Sequence, residues 1–389
     1  MKSSIQNHPS LREVFISFLR LGLTAFGGPA MIAYIKEMAV DRYNWLDGET
    51  FKDGVVLCQS IPGATAMQTA AYVGMKARGV PGALVSFIGF ALPAFAFMLV
   101  LSSLYVTYHL FPWVVSLFSG LQVLVCAVVA NAAWSFGKST LKHYEDIAFA
   151  ITAAILFWVR VSPFLIISFA ALAGILFPRK TAGVNLFQPE DSLNRSYVNQ
   201  FIVFLLLATA VLFALHFIDK GLYDLAALMI RIDLFAFGGG FASVPLMLHE
   251  VVDIKGWMDN QTFMDGIVLG QVTPGPIVIT STFVGYLTHR FAGAFVATAG
   301  IFAPSLLMVI VFTPIMDKLK CSTSFLKATK GILASFVGLL LYVTLKFSWS
   351  VHWDIIKTLI GLAVLVAMIK KVDLLYVVLA SSALSVILF

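Results

Sequence analysis

Two arginines, each followed by a cluster of glycines in an apolar run, have the clearest chemical potential in this chain. Arg20 precedes Phe26-Gly27-Gly28-Pro29, and Arg231 precedes Phe237-Gly238-Gly239-Gly240. Glycines beside a proline interrupt a helix, and the interruption frees backbone N–H groups. Freed N–H groups at the start of a new helix, next to a guanidinium, can bind an anion. The alternatives are arginines that snorkel to the interface and glycines that only allow close helix packing.

Two polar clusters carry a Pro-Gly pair inside further apolar runs, at Gln59 to Thr65 and at Gln271 to Pro276. Each pair predicts another helix break. The amide and hydroxyl groups around it are neutral, which suits a solute that must bind and then leave. The predicted substrate-binding residues are therefore Arg20, Arg231, Gly27, Gly28, Gly238, Gly239, Gln59, Gly63, Thr65, Gln271, Thr273 and Gly275.

Acidic residues in or near the apolar runs are candidates for coupling or gating, namely Asp233, Glu37, Glu250, Asp53 and Asp265. Asp233 lies about 200° around a helix from Arg231, so we expect it to pair across the molecule, with Arg20. Thr50-x-x-Asp53 and Thr262-x-x-Asp265 also fit reciprocal helix N-caps.

Neither a metal centre nor an enzyme active site is indicated. His, Asp and Glu do not cluster at the spacing of metal ligands, and the carboxylates that a divalent cation prefers are missing from the predicted breaks. A paired Ser, His and Asp and a phosphate-binding loop are also missing. We predict no metal, no cofactor and no catalytic residue.

The composition predicts an all-α polytopic membrane protein. Of 389 residues, 60% are hydrophobic and 12% are charged, with a mean hydropathy of +0.92, whereas soluble domains carry roughly 25% charged residues. The net charge of +6 comes from lysines and arginines in short loops, so it indicates membrane orientation rather than a nucleic-acid partner. Three cysteines without CxxC spacing are expected to be reduced packing residues.

About thirteen apolar segments have the length of a membrane span of about 20 residues. They lie near 11–36, 51–77, 80–108, 112–137, 144–159, 161–178, 197–218, 222–249, 262–288, 291–316, 328–347, 353–370 and 372–388. The segments 51–77 and 262–288 contain the Pro-Gly pairs, so each either spans the membrane or is a re-entrant hairpin. The distribution of Lys and Arg favours a cytoplasmic N-terminus, and thirteen spans then place Phe389 outside.

The chain repeats itself at an offset of 211 to 212 residues. Phe26 to Gly28 matches Phe237 to Gly239, and Pro62-Gly63 matches Pro274-Gly275. We therefore predict a cytoplasmic tail at 1–10, a first repeat at 11–178, a linker with one extra transmembrane helix at 179–221 and a second repeat at 222–389. The extra helix inverts the second repeat, an architecture typical of secondary transporters with a site near the membrane midplane.

The same motifs resemble those of the chromate ion transporter family, in its long two-domain form. The matching residues are Phe26-Gly27-Gly28-Pro29, Gln59-x-x-Pro62-Gly63-Ala64, Gly79-x-Pro81-Gly82 and Pro93, then Phe237-Gly238-Gly239-Gly240, Gly270-Gln271-x-Thr273-Pro274-Gly275-Pro276, Gly293 and Pro304. The resemblance implies that Arg20, Gly22, Gly27 and Gly28 are important. The second repeat departs from the first by carrying Gly240 in place of Pro29.

The resemblance implies export of chromate across the plasma membrane, with resistance to chromate as the result. The expected partners are the oxyanion, chromate or sulfate, and the lipid bilayer, with a homodimer as a further expectation. Alternating access around a dianion held between two broken helices is the expected mechanism. The rival interpretations are a transporter of sulfate or another oxyanion, an anion channel, and a membrane enzyme.

Overall fold

A computed structural model describes residues 9–26, 28–176, 195–315, 322–370, 372 and 374–388. Within these ranges the chain is helical, apart from loops and one isolated antiparallel bridge between Pro62 and Phe237. The predicted all-α class is confirmed. Among the described residues, four stretches are long and apolar enough to span a membrane, namely Thr65–Tyr108, Pro112–Thr140, Ile277–Ile315 and Thr323–Ser350. These four do not confirm the predicted number of thirteen spans.

The helices of the first half follow in the order predicted from the apolar runs. They are α1 (Leu11–Thr24), α2 (Gly28–Lys36) with its π-helical continuation Glu37–Arg42, α3 (Gly48–Ser60), α4 (Thr65–Tyr108), α5 (Pro112–Thr140), α6 (Tyr144–Trp158) and α7 (Pro163–Leu176). The π-helical segment and a short loop connect α2 to α3.

After α8 (Arg195–Ile218), the second half repeats the same order of elements. They are α9 (Lys220–Phe235), a 3₁₀ turn (Gly240–Ala242), α10 (Ser243–Met247), a π-helical segment (Leu248–Ile254), α11 (Asn260–Val272), a 3₁₀ turn (Ile277–Ile279), α12 (Thr280–Phe312), a 3₁₀ turn (Thr313–Ile315), α13 (Thr323–Ser350), α14 (Ile355–Ile369) and α15 (Leu374–Leu388).

Helices α4 and α12 are each interrupted by a sharp turn at equivalent positions. The backbone leaves helical geometry at Arg78 and Gly79, and at His289 and Arg290, whose φ angles are +64° for Gly79 and +52° for Arg290. We therefore divide α4 into α4a (65–77) and α4b (80–108), and α12 into α12a (280–288) and α12b (291–312). These turns fall between the apolar segments that the sequence separates.

The segment that contains α3 and α4a is a helical hairpin. The Tyr72 hydroxyl of α4a donates to the Thr50 carbonyl of α3 at 3.3 Å, and the Tyr72 ring packs on Gly54. The second half folds in the same way, since Phe283 of α12a packs on Gly266 of α11. These contacts between consecutive helices favour the folded-back alternative for 51–77 and 262–288.

The first apolar segment, 11–36, is also folded back. Arg20 of α1 and Met38 of the π-helical segment line one cleft, and Tyr43 lies in the same cleft beside Ser17. The chain therefore reverses between α1 and α2, at the predicted glycine break. The sequence predicts a membrane span over 11–36 whose helix is broken at the glycines. The break is present between α1 and α2, but the chain reverses there instead of continuing across.

The two halves interlock along α4, α5, α12 and α13. Helix α4 packs on α1 of its own half and on α12, while α5 packs on α14 and α15 of the second half. In the same way, α13 packs on α6 and α7 of the first half. The closest approaches use glycine, and a Cβ at Gly338 of α13 would lie 2.0 Å from the Ala150 carbonyl oxygen of α6. Neither half therefore has a complete core alone.

We expect Gly338→Ala to destabilise the interlocked halves. The added methyl group meets backbone, which cannot rotate away, so we expect a loss of about 1–3 kcal/mol in the free energy of unfolding. Thermal unfolding of the purified protein in detergent measures it. Gly137→Ala is the matched control, since its nearest neighbour atom lies 3.5 Å from the added Cβ. Equal melting temperatures for the two variants would contradict the interlocked packing.

Candidate functional site

Two reciprocal backbone hydrogen bonds connect the halves at the centre of the fold. The Gly63 N–H donates to the Ala236 carbonyl at 2.9 Å, and the Gly275 N–H donates to the Ala25 carbonyl at 3.1 Å. In each bond, the tip of a helical hairpin from one half contacts the helix break of the other half. We call these four residues, with the Pro62–Phe237 bridge, the central crossing.

The local sequence explains why the tips adopt this shape. In each hairpin a proline lies two residues after the end of the first helix, and it cannot continue that helix's hydrogen bonding. The next residue, Gly63 or Gly275, has a φ of +118° or +123°, which strongly favours glycine. Space is also short, because a Cβ at Gly63 would lie 2.2 Å from Ser305 Oγ and one at Gly275 would lie 2.7 Å from Ala94 Cβ.

Helix starts from both halves meet beside the central crossing. Helix α4a starts at Thr65 and the 3₁₀ turn starts at Gly240, and neither start has a side-chain cap. A Cβ at Gly239 would lie 3.1 Å from Thr65 Oγ1, and one at Gly240 would lie 3.0 Å from Ile277 Cγ2, at the start of another 3₁₀ turn. Uncapped N–H groups and the positive ends of the helix dipoles attract an anion.

Buried polar atoms without a hydrogen-bond partner occur on the helices that form the tips. Among the described residues they include Gln68 Oε1, Gln271 Nε2 and Ser281 Oγ. Such atoms are uncommon in folded proteins, and they indicate room for a polar ligand or water. Gln271 was predicted from the sequence, and its counterpart Gln59 is exposed on α3.

The other predicted polar and glycine residues have more local surroundings. Thr273 Oγ1 donates to the Gly270 carbonyl at 3.1 Å, within its own helix end. Thr65 is half-buried, and Gly238 packs against the ring of Phe136. Gly28 starts α2, which emerges from the break at the central crossing. Gly27 lies outside the described residues.

Asp233 is buried next to the central crossing and binds a serine. Ser305 Oγ donates to the Asp233 carboxylate, 2.8 Å from Oδ2, and accepts the Ala64 N–H at 3.0 Å. The predicted pairing of Asp233 with Arg20 is wrong. Asp233 faces inward from α9 onto α12b, which contributes Ser305, and no periodic pattern in the sequence indicated this serine.

The two arginines have different neighbours rather than a common centre. The Arg231 guanidinium pairs with Glu250 at 2.6 Å and lies over the Phe164 ring, 4.6 Å from its centroid. Arg20 lies in a cleft of the first half with Glu37. Their expected convergence on one central site is not observed, because both side chains extend from the exposed sides of their helices.

The predicted caps at Thr50 and Thr262 are wrong by three residues. The N-cap of α3 is Asp47, whose carboxylate accepts the Thr50 N–H at 2.8 Å, and Asp259 caps α11 in the same way. The hydrogen bonds from Thr50 lower the pKa of Asp47. Sequence reasoning assigned the threonine to the cap position because it recognised only the Thr-x-x-Asp pattern.

Asp53 and Asp265 occupy equivalent positions but different environments. Asp53 is exposed. Asp265 is buried and accepts hydrogen bonds from the Tyr105 hydroxyl at 2.9 Å and from Gln122 Nε2 at 2.8 Å. Because Tyr105 and Gln122 belong to the first half, Asp265 fixes the second hairpin to α4b and α5.

Comparison with known proteins supports a single family. A family model described as "Chromate transporter" matches residues 12–175 and 223–386. An uncharacterized transporter of Methanocaldococcus jannaschii is 42% identical over 381 residues, which cover 98% of this chain and 95% of the relative. A chromate transport protein of Cupriavidus metallidurans is 27% identical over 366 residues, 93% of this chain and 88% of the relative.

A shorter relative corresponds to one half of the molecule. An uncharacterized transporter of Bacillus subtilis is 28% identical over 198 residues, which are 100% of that protein and 49% of this chain. No solved structure matches the chain.

We expect Ser305→Ala to destabilise the protein, because the Asp233 carboxylate and the Ala64 N–H both lose their shared partner. Leaving buried groups unpaired costs about 1–3 kcal/mol. Ser102→Ala is the matched control, since this buried hydroxyl donates only within its own helix, to the Met98 carbonyl. Thermal unfolding in detergent compares the two, and equal shifts would show that the link through Ser305 contributes nothing.

Proposed function

This chain belongs to the chromate transporter family, and on that basis we propose that it exports chromate from the cytoplasm by alternating access and confers resistance to it. The family is one of membrane transporters, not of enzymes. The observation that carries the proposal is the central crossing, where helix starts from both halves surround one region without side-chain caps.

The chemistry of these helix starts fits a tetrahedral divalent oxyanion. An anion that leaves water must exchange its hydration shell for hydrogen-bond donors. In our proposal, the N–H groups near Gly28, Gly63, Gly239 and Gly275 supply direct hydrogen bonds. Because these donors are neutral, the anion can leave again.

Side chains around the crossing complete the proposed binding region. Thr65 and Thr273 add hydroxyls, and Gln59 and Gln271 add amides. Arg20 flanks one approach to the region and Arg231 flanks the other. The close contact between Gly239 and Thr65 supports a region shared by both halves.

We propose an inverted arrangement of the two halves. A hairpin that enters the membrane and returns to the same side does not span it, so the folded-back segments do not change the orientation of the later helices. Helices α4b, α5, α6 and α7 span the membrane four times in our proposal, an even number, and α8 adds one more span. With the N-terminus in the cytoplasm, the second half then starts outside, and the C-terminus lies outside as well.

The membrane potential can drive the proposed export. An inside-negative potential contributes about 2.3 kcal/mol per charge per 100 mV, so a dianion gains twice that on leaving. Uniport uses all of this energy, whereas exchange for another ion uses it only in proportion to the net charge that is moved. Asp233 and Asp265 are the buried carboxylates that we propose as coupling groups, since Asp233 is linked through Ser305 to the start of α4a.

We expect Gly63→Ala and Gly275→Ala each to reduce chromate transport at least tenfold, because the new Cβ clashes within the central crossing. Initial rates of chromate uptake into proteoliposomes at a fixed potential measure the effect. Gly79→Ala is the matched control, since its φ is also positive, at +64°, but nothing lies within 4 Å of the added Cβ. Normal rates in both tip variants would contradict a site at the crossing.

The same assay separates the rival functions. Saturable uptake that excess sulfate does not inhibit supports a chromate transporter. Saturable uptake that sulfate suppresses with equal affinity indicates a general oxyanion transporter. Currents that rise linearly with concentration, without exchange, indicate an anion channel.

The inverted arrangement predicts opposite accessibility for one pair of equivalent exposed residues, Glu49 and Gln261. In a variant whose Cys58, Cys126 and Cys321 are replaced by alanine, we introduce Glu49→Cys or Gln261→Cys. A membrane-impermeant maleimide should label position 261 in intact cells and position 49 only after permeabilisation. Labelling of both from the same side would overturn the inverted arrangement.

A further inference from the structure

The two symmetry-related arginines differ in the residue that faces them. Backbone bonds fix the register of the two π-helical segments, because the Tyr43 N–H donates to the Met38 carbonyl and the Lys255 N–H donates to the Glu250 carbonyl. The backbone N–H of Trp45 likewise donates to the Ala39 carbonyl, and that of Trp257 donates to the Val251 carbonyl. Met38 therefore occupies in the first half the position that Glu250 occupies in the second.

This difference decides whether the guanidinium group of each arginine has a carboxylate partner. In the second half, Glu250 is buried and pairs with Arg231 at 2.6 Å. In the first half, the uncharged Met38 lines the cleft that contains Arg20. Among the residues that the structure describes, no carboxylate forms an ion pair with Arg20. The guanidinium of Arg20 is thus available to an anion, whereas that of Arg231 is neutralised.

The cleft around Arg20 has the size and the donors for an oxyanion. Its volume is about 220 Å³, several times the share of liquid volume that one water occupies, about 30 Å³. Most of the residues that line it carry a polar group, and Glu37 is the one acidic residue among them. The polar residues beside Arg20 are Ser17, Thr24, Tyr34, Glu37, Arg42 and Tyr43.

The cleft contains a second arginine besides Arg20. Arg42 lines the same cleft as Arg20, and its equivalent in the second half, in the register of the π-helical segments, is Ile254. An adjoining cleft adds Arg12 together with Glu13. At its other end the first cleft reaches Thr24, next to Ala25, whose carbonyl belongs to the central crossing.

We propose that this cleft, which we call the recruiting cleft, binds the divalent oxyanion before it reaches the central crossing. Because Met38 is uncharged, Arg20 has no partner there equivalent to Glu250 and stays free to bind the anion. The inference rests on the proposed function. Because the second half neutralises its own arginine, capture is one-sided and occurs where the hairpins of the first half open. In the proposed orientation that side is the cytoplasm, as export requires.

Physical principles support this role. Guanidinium groups bind oxyanions through two parallel hydrogen bonds, and Arg42 adds a second charge within one cleft. The cleft holds two arginines and one acidic residue, Glu37, and a concave surface with a net positive charge raises the local concentration of anions. The paired Arg231 would have to lose a buried partner before it could bind an anion, so the second half favours release.

The test places the carboxylate of the second half into the first. We expect Met38→Glu to pair with Arg20 and to raise the KM for chromate at least tenfold in vesicles where the first-half side faces the chromate. Met38→Gln, of similar size but neutral, should stay within about twofold of the wild type. The opposite vesicle orientation should show little change in KM for either variant.

A second substitution covers the case in which Met38→Glu fails to fold. Arg42 is exposed, so Arg42→Gln should fold normally, which thermal unfolding checks. We expect it to raise the KM for chromate severalfold on the same side, and Arg42→Lys should restore most of the loss. An unchanged KM in Arg42→Gln, or equal KM values for Met38→Glu and Met38→Gln, would overturn the recruiting cleft.

The outcomes separate this inference from the proposed function. If the wild-type protein neither transports chromate nor binds it in calorimetry, the proposed function fails. If the wild type transports chromate and the cleft variants transport it with unchanged KM from both sides, only the recruiting cleft fails.

Discussion

The reciprocal hydrogen bonds of Gly63 with Ala236 and of Gly275 with Ala25 hold the rest of this structure in place. Each satisfies backbone groups that a helix break and a hairpin tip would otherwise leave unpaired in an apolar interior. Such groups cost several kcal/mol each in a bilayer, so the breaks are tolerated only where protein covers them. The hairpins, the interlocked long helices and the uncapped helix starts all result from the need to bring these breaks together.

The two halves have the same order of helices, but equivalent positions carry different side chains. Asp233 and Ser305 of the second half correspond to Gly22 and Ala94 of the first. The first pair forms a buried polar link, whereas the glycine lets α1 pack directly on α4b. The second half thus buries the carboxylates of Asp233, Glu250 and Asp265, whereas Arg20 of the first half forms no ion pair with a described residue. In the proposed mechanism this difference gives the two sides unequal affinity for the anion, while the concentration gradient and the membrane potential set the direction of net transport.

The sequence was sufficient to predict the helical class, the helix breaks and the repeat, because these depend on local composition and on Gly and Pro. The turn at Gly79 and its equivalent at Arg290 fall between predicted segments for the same reason. The reversal of the chain at 25–27 could not be predicted, since a glycine break permits a kink and a reversal equally. The direction of reversal depends on packing against distant helices.

The details of the site depend on long-range contacts that hydropathy does not encode. The arginines were equivalent in sequence, and only the register of the π-helical segments revealed that Met38 replaces Glu250. Ser305 and Tyr105 were missed because a single hydroxyl in an apolar run carries no periodic signal. Their importance comes from the buried carboxylates of Asp233 and Asp265, which lie far away in the chain.

The central claim is that an oxyanion binds where the helix starts of the two halves meet. Anomalous diffraction from crystals soaked in chromate, recorded at the chromium absorption edge, tests it most directly. We expect a chromium peak beside the central crossing, within hydrogen-bond distance of backbone N–H groups near Gly63 or Gly239. A fully occupied chromium site elsewhere, with no peak at the crossing, would contradict the claim.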